Sequence, residues 1–358
     1  MIPTTMRAVL LTGHGGFDML EWRDDVPVPE VGAGEVLVKV GAAGVNNTDI
    51  NTRIGWYSKE VSGATDDASA GDSEVSDDAS WGGAALSLPR IQGADVAGTV
   101  AATGADVDPA RVGERVLVEP CLREPTDWRP YVCHYLGSEC DGGFADYVAV
   151  PAVHAHGITS DLSDAELASF PCSYSTAENL LTRAELSVNE TVLVTGASGG
   201  VGSAAVQLAR RRGSEVIAVA HPAKAAEVEA AGANRVVPRG ADLLEVLGTE
   251  SVHVVIDLVG GPAWPALLEV LRRGGCYATA GAIAGPMVEL DLRTLYLKDL
   301  NVRGATVLDR GVFANLVGYI ERGEIKPLVA KSYALADIVQ AQQDFLAKKH
   351  MGKLVLLP

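Results

Sequence analysis

The stretch that most narrows what this chain can fold into is Thr191–Ala209, TVLVTGASGGVGSAAVQLA. An apolar run of strand length enters a glycine-rich turn, and the turn leads into an Ala/Val/Leu helix. Gly196, Gly199 and Gly202 recur at every third position. In a strand–turn–helix unit the first glycine allows the sharp exit from the strand. The second lets the backbone approach a pyrophosphate closely, and the third lets the helix pack tightly on the sheet. The free N–H groups at the start of such a helix bind phosphate oxygens. Gly196, Ala197, Ser198, Gly199, Gly200, Val201 and Gly202 are therefore the candidate dinucleotide-binding residues.

The flanking segments keep the same rhythm. Glu215–Val219, Val236–Val237, Val252–Asp257 and Cys276–Ala280 read as strands, with Gly202–Arg212, Ala223–Ala230 and Trp264–Leu271 as helices among them. Alternating β and α units with continuously apolar strands predict an α/β fold with a doubly wound parallel sheet. Upstream, Met6–Leu11, Glu35–Val40, Gly98–Ala102 and Arg115–Glu119 are short β-rich runs divided by Gly, Pro and Asp, the pattern of a small barrel-like domain. Asp164–Ala168 and Ser175–Ala184 read as helices. The tail reads as helix (Val312–Arg322), loop, helix (Leu335–Ala347) and strand (Lys353–Leu357), the last returning to the first domain. The expected division is 1–157, 158–303 and 304–358. Val61–Leu88 holds six acids and no Lys or Arg. It reads as a flexible, solvated surface insertion, or as a lid or oligomer contact anchored by Trp81.

Composition excludes several partners. A net charge of −17 repels phosphate backbones and anionic membranes, so neither nucleic acid nor a membrane is expected. No apolar run reaches the ~18 residues of a membrane span. The first residues, MIPTTMRAVLLTGHGG, lack a signal-peptide pattern, so a cytoplasmic protein is expected. Five cysteines, an odd number, read as reduced thiols. On so acidic a chain an anionic cofactor needs a local basic pocket. NAD enzymes hold the ribose 2′-OH with Asp or Glu roughly 20 residues past the first glycines. Here that strand ends in Ala220, His221, Pro222, Ala223 and Lys224, with no acid, and Arg239 follows the next strand. His221, Lys224 and Arg239 suit a 2′-phosphate, so NADPH is the expected cofactor.

Further motifs extend over nearly the whole chain. MRAVLLTGHGG, GAAGVNNTDINTRIGWY, GADVAGTVAATGADV, VGERVL, DGGFADYVAVP, VVIDLVGG, KDLNVRGATV and GKLVLLP occur in this order around the glycine loop. Together they resemble the medium-chain dehydrogenase/reductase superfamily, and within it the zinc-free quinone oxidoreductase (zeta-crystallin-like) branch. The resemblance implies a GroES-like barrel completed by the C-terminal tail, a Rossmann cofactor domain, an active site in the cleft between them, and a homodimer or homotetramer. It implies that Asn46 and Tyr57 lie near the nicotinamide and substrate and that Lys224 meets the 2′-phosphate. Arg239 stands where that branch often has a tyrosine.

Zinc relatives of this group use a Cys, a His and a later Cys or Asp as catalytic ligands, and the matching positions here are Asn46, Ala94 and Cys172. Only one of these is a good ligand, short of the three that a catalytic zinc needs. Cys121, Cys133 and Cys140 lack the close spacing of a structural zinc lobe. No metal is expected. Without a strong Lewis acid, the expected reaction is hydride transfer from NADPH to a small-molecule carbonyl, a quinone or α,β-unsaturated carbonyl, with Asn46 and Tyr57 polarising the oxygen. A zinc-type alcohol dehydrogenase, and a redox-sensing NADPH-binding protein without turnover, are the alternatives.

Overall fold

The computed structural model describes residues 1–65, 78–123 and 133–358. Packing divides them into two units. The first comprises Met1–Val61, the described part of 68–172, and Phe313–Pro358; the second comprises the described part of 62–67 and Ser173–Val312. Residues 158–172 thus pack with the first unit and 304–312 with the second.

In the first unit the strands are β1 (Thr5–Leu11), β2 (Leu20–Pro27), β3 (Glu35–Gly44), β4 (Arg90–Ile91), β5 (Val96–Thr103), β6 (Arg115–Val118), β7 (Cys121–Arg123), β8 (Cys133–Tyr135), β9 (Tyr147–Pro151) and β10 (Ala155–Gly157). Helix α1 (Asn47–Arg53) follows β3 directly. The second unit supplies β11 (Thr191–Val194), α2 (Gly200–Arg211), β12 (Glu215–Ala220), β13 (Arg235–Pro238), β14 (Val252–Asp257), β15 (Leu271–Thr279), α3 (Leu292–Leu297) and β16 (Asn301–Gly304). The chain then returns to the first unit with β17 (Val329–Ala334) and β18 (Lys353–Leu357).

The first unit's main sheet runs β10-β6-β5-β3-β18-β17, with β9 also on β3. Its core joins Val36, Val38, Val40, Val96, Val116, Phe144 and Val148 to Leu354 and Leu356 of the final strand. β3 has almost no exposed position because both of its faces are covered. The second unit's sheet runs β13-β12-β11-β14-β15-β16, and every pairing in it is parallel. Counted along the chain this is 3-2-1-4-5-6, the Rossmann order, which reverses between β11 and β14 and opens a crevice at their carboxyl ends. Leu193, Ile217, Val255, Trp264, Leu268 and Tyr277 form the core beneath it. A buried Val, Leu or Ile of this kind contributes about 1.5–3 kcal/mol.

Two expectations change. The loop expected before the last helix contains β17, parallel to β18. Only Tyr333 of that strand is buried, so its sequence carries no alternation of apolar and polar positions. The acidic segment 61–88 is also not uniformly solvated, although residues 66–77 lie outside the described part. At its far end Ala79 and Ser80 are fully buried. The Trp81 ring stacks on Tyr135 at 4.3 Å, while the Trp81 and Gly82 N–H groups donate to Ser138 Oγ and Glu139 Oε1. Trp81 is thus an anchor onto the stretch around β8.

Candidate active site

The glycine turn sits at the carboxyl end of β11, beside the switch point. Gly196 adopts φ +59°, which an L side chain rarely takes. A Cβ on Gly202 would lie 2.2 Å from Gly196 O and 2.7 Å from Ala197 Cα. The first turn of α2 therefore rests on the loop backbone with no room for a methyl group. The Ala197 N–H donates to Val219 O at 3.1 Å, tying the turn to β12. This cradle, with the start of α2 directed into the crevice, fits a dinucleotide pyrophosphate.

At the end of β12 the chain makes a single 3₁₀ turn, Pro222–Lys224. His221 caps it: its Nδ1 accepts from Ala223 N at 3.2 Å. The first role the structure gives His221 is thus local. Lys224 is half-buried, and burial pushes its pKa down, opposed by the Glu227 carboxylate and reinforced less strongly by the Arg239 guanidinium. Lys224 and Arg239 thus place two cations at the end of β12, with Glu227 beside Lys224.

In the first unit, β3 ends at the amino end of α1 and brings Asn46 into a buried network. Asn46 N donates to Asp49 Oδ2 at 2.7 Å. Asn46 Nδ2 donates to Asp95 Oδ2 at 2.7 Å and more weakly to Gly44 O at 3.3 Å. Its Oδ1 accepts from Lys353 Nζ at 2.6 Å. Lys353, the first residue of β18, also pairs with Asp95 at 2.8 Å, and the Cys172 N–H closes the set on Asp95 Oδ1 at 2.6 Å. Both charges are buried, Lys353 5% and Asp95 0% exposed. Removing either would leave an unpaired buried charge, a loss of about 3–5 kcal/mol. The Asn46 amide is committed to this frame. The polarising role predicted for it asks for a donor that Asp95 and Gly44 already occupy.

Tyr57 follows α1, whose last turn is pinned where Arg53 donates to Gln342 Oε1 and Gly15 O. Burial pushes the Tyr57 pKa up, with small contributions from Cys172 and Asp49, while Thr48 and Asn51 oppose the rise. The phenol therefore stays protonated and is a standing hydrogen-bond donor. Asn46, Tyr57 and Cys172 are brought to one region of the first unit, and the glycine loop, Lys224 and Arg239 to one end of the second unit's sheet. Sequence reasoning missed Lys353, whose only sign was an isolated Lys at the start of an apolar terminal strand.

Comparison with known proteins matches residues 32–160 to the alcohol dehydrogenase GroES-like domain and residues 200–322 to the zinc-binding dehydrogenase domain. A crystal structure from Sinorhizobium meliloti 1021, provisionally named an alcohol dehydrogenase, is 48% identical over 100% of this chain and 98% of its own, with a TM-score of 0.89. The chain belongs to the medium-chain dehydrogenase/reductase superfamily. Other members are more distant. The NAD-dependent alcohol dehydrogenase of Sulfolobus acidocaldarius is 27% identical, covering 98% of this chain and 99% of that protein. The quinone oxidoreductase of Lama guanicoe is 28% identical, covering 98% and 97%. This dehydrogenase/reductase is thus an oxidoreductase of a family that uses nicotinamide cofactors, built from a GroES-like domain and a Rossmann domain.

Proposed function

We propose that this dehydrogenase/reductase uses NADPH to reduce a quinone or an α,β-unsaturated carbonyl, without zinc. The observation that carries the reading is the Lys353–Asn46–Asp95 network. It lies where a zinc enzyme of the family would gather its ligands. Ala94 offers no donor atom, Asn46 already binds an ammonium through its oxygen, and Cys172 is a single thiol. Among the described residues no three His, Cys, Asp or Glu side chains converge as a metal would require. The donor set does not fit a catalytic zinc, and a site without a Lewis acid favours acceptors that are already electrophilic. The likeness to a quinone oxidoreductase supports the same substrate class.

The glycine cradle would hold the pyrophosphate, and Lys224 with Arg239 the 2′-phosphate. Bound there, NADPH supplies the hydride. The chain's own contribution is to orient the acceptor and to donate from the Tyr57 hydroxyl to the oxygen that becomes negative. The test is a nucleotide titration followed by a substrate panel and metal analysis of the purified protein. NADPH is expected to bind at least about tenfold tighter than NADH, with Lys224→Ala erasing most of the difference. Quinones or enones are expected to turn over without stoichiometric zinc. Equal affinity for both nucleotides, or zinc-dependent oxidation of alcohols, would defeat the proposal.

A further inference from the structure

A buried carboxylate beneath the glycine loop has no part in the chemistry above. Asp257 ends β14 and is 0% exposed. Its Oδ1 accepts from Thr195 Oγ1 at 2.5 Å and from Val259 N at 3.0 Å. Its Oδ2 accepts from Tyr277 Oη at 2.7 Å and from Gly260 N at 3.1 Å. Thr195 Oγ1 in turn accepts from Leu258 N at 3.0 Å. One side chain thereby ties together the carboxyl ends of β11, β14 and β15, and Thr195 is the residue directly before Gly196. Val259, in the turn that Asp257 holds, stands 3.3 Å from where a Cβ of Gly196 would be. On its other side the loop is tied to β12 through Ala197 N. Four donors compensate the buried charge by dipoles, and burial together with the carboxylate itself keeps the Tyr277 hydroxyl protonated as one of them.

We infer that Asp257 is a positioning residue for the cofactor. Through Thr195 and the turn 258–260 it sets the backbone that receives the pyrophosphate, and through Tyr277 it fixes that floor to β15. The inference rests on nucleotide binding at the glycine loop. A carboxylate suits this position because it has only acceptors, and all four neighbours present donors. An amide there would turn an N–H₂ toward at least one of those donors.

The experiment compares wild type with Asp257→Asn, Thr195→Val, Thr195→Ser and Tyr277→Phe as full-length proteins. The measurements are the NADPH dissociation constant, the kcat and the NADPH KM with a saturating reducible quinone, and the unfolding temperature with and without NADPH. Asp257→Asn and Thr195→Val are expected to raise the dissociation constant and cofactor KM about tenfold or more, with kcat nearly unchanged at saturation. The rise in unfolding temperature caused by NADPH should shrink in the same two variants. Thr195→Ser, which keeps the hydroxyl, should restore wild-type binding. Tyr277→Phe, which removes one of the four donors, should weaken NADPH binding in the same direction, and if Asp257→Asn fails to fold, Thr195→Val still decides. A folded Asp257→Asn or Thr195→Val protein that binds NADPH as wild type does, or that loses kcat rather than affinity, would overturn the inference while leaving the cofactor reading intact. A wild-type protein that binds neither NADPH nor NADH would overturn both.

Discussion

Asp49 is buried and Tyr57 half-buried, and their pKa values rise with different consequences. For Tyr57 the rise keeps a donor in place, and under the proposed function Tyr57→Phe would remove a hydrogen bond to the reacting oxygen and nothing from the nucleotide. kcat is expected to fall roughly 10²-fold, as when one oxyanion donor is lost, with the NADPH dissociation constant unchanged; a full-rate Tyr57→Phe enzyme would assign the donor elsewhere. Asp49 is pushed from an ordinary 3.8 up to about 7, chiefly by burial, although its carboxylate accepts from Asn46 N and Gly93 N. The folded chain therefore holds that proton more tightly than the unfolded chain. The resulting stability is fully present below about pH 4 and is lost as pH rises through about 7. Asp49→Asn should flatten this part of the pH–stability profile, measured as the denaturant midpoint between pH 4 and 8. An unchanged slope would show that Asp49 titrates as an ordinary carboxylate.

Among the elements, α2 is the one whose first turn has least freedom. Gly202→Ala would set a methyl carbon against Gly196 O, so the helix must back away from the loop. Nucleotide affinity should drop by about two orders of magnitude while far-UV circular dichroism stays the same; wild-type affinity in that variant would mean the loop is free to shift. This element was readable in the sequence because its signal is local: strand, three spaced glycines and helix lie within one short run. The frame around Asn46 was not readable, because Asp95 and Lys353 are far apart in the chain and meet only once β18 lies beside β3. For the same reason Asp257 looked like one acid at a strand end, its partners Thr195 and Tyr277 lying on neighbouring strands. β17 escaped because its partner, not its own pattern, makes it a strand. His221 drew notice as a phosphate ligand for its position, whereas its Nδ1 caps a turn.

For the molecule as a whole, the second unit's sheet ends, among the described residues, in two edge strands, β13 and β16. At the β16 end Val302 is 48% exposed, and in the chain just before it Met287, Leu292, Tyr296 and Leu297 are exposed as well. An open strand edge that carries an exposed valine is a surface on which another strand can pair. A two-fold pairing of β16 with its copy would cover it. Sedimentation velocity is expected to give a dimer at micromolar concentration, and Val302→Lys a monomer that keeps its fold; a monomeric wild type would refute this. The order of strands along the chain also governs assembly in time. A domain built almost wholly from one continuous stretch can fold as it leaves the ribosome, and apart from a short piece within 62–67 the second unit is Ser173–Val312. The first unit, although its β1 is made first, has a gap beside β3 that only β18 can fill, and Asp95 stays without its countercharge until Lys353 emerges. Translation thus finishes the nucleotide-holding half first. A chain cut just before β18 would be able to hold the nucleotide but would have no completed frame around Asn46.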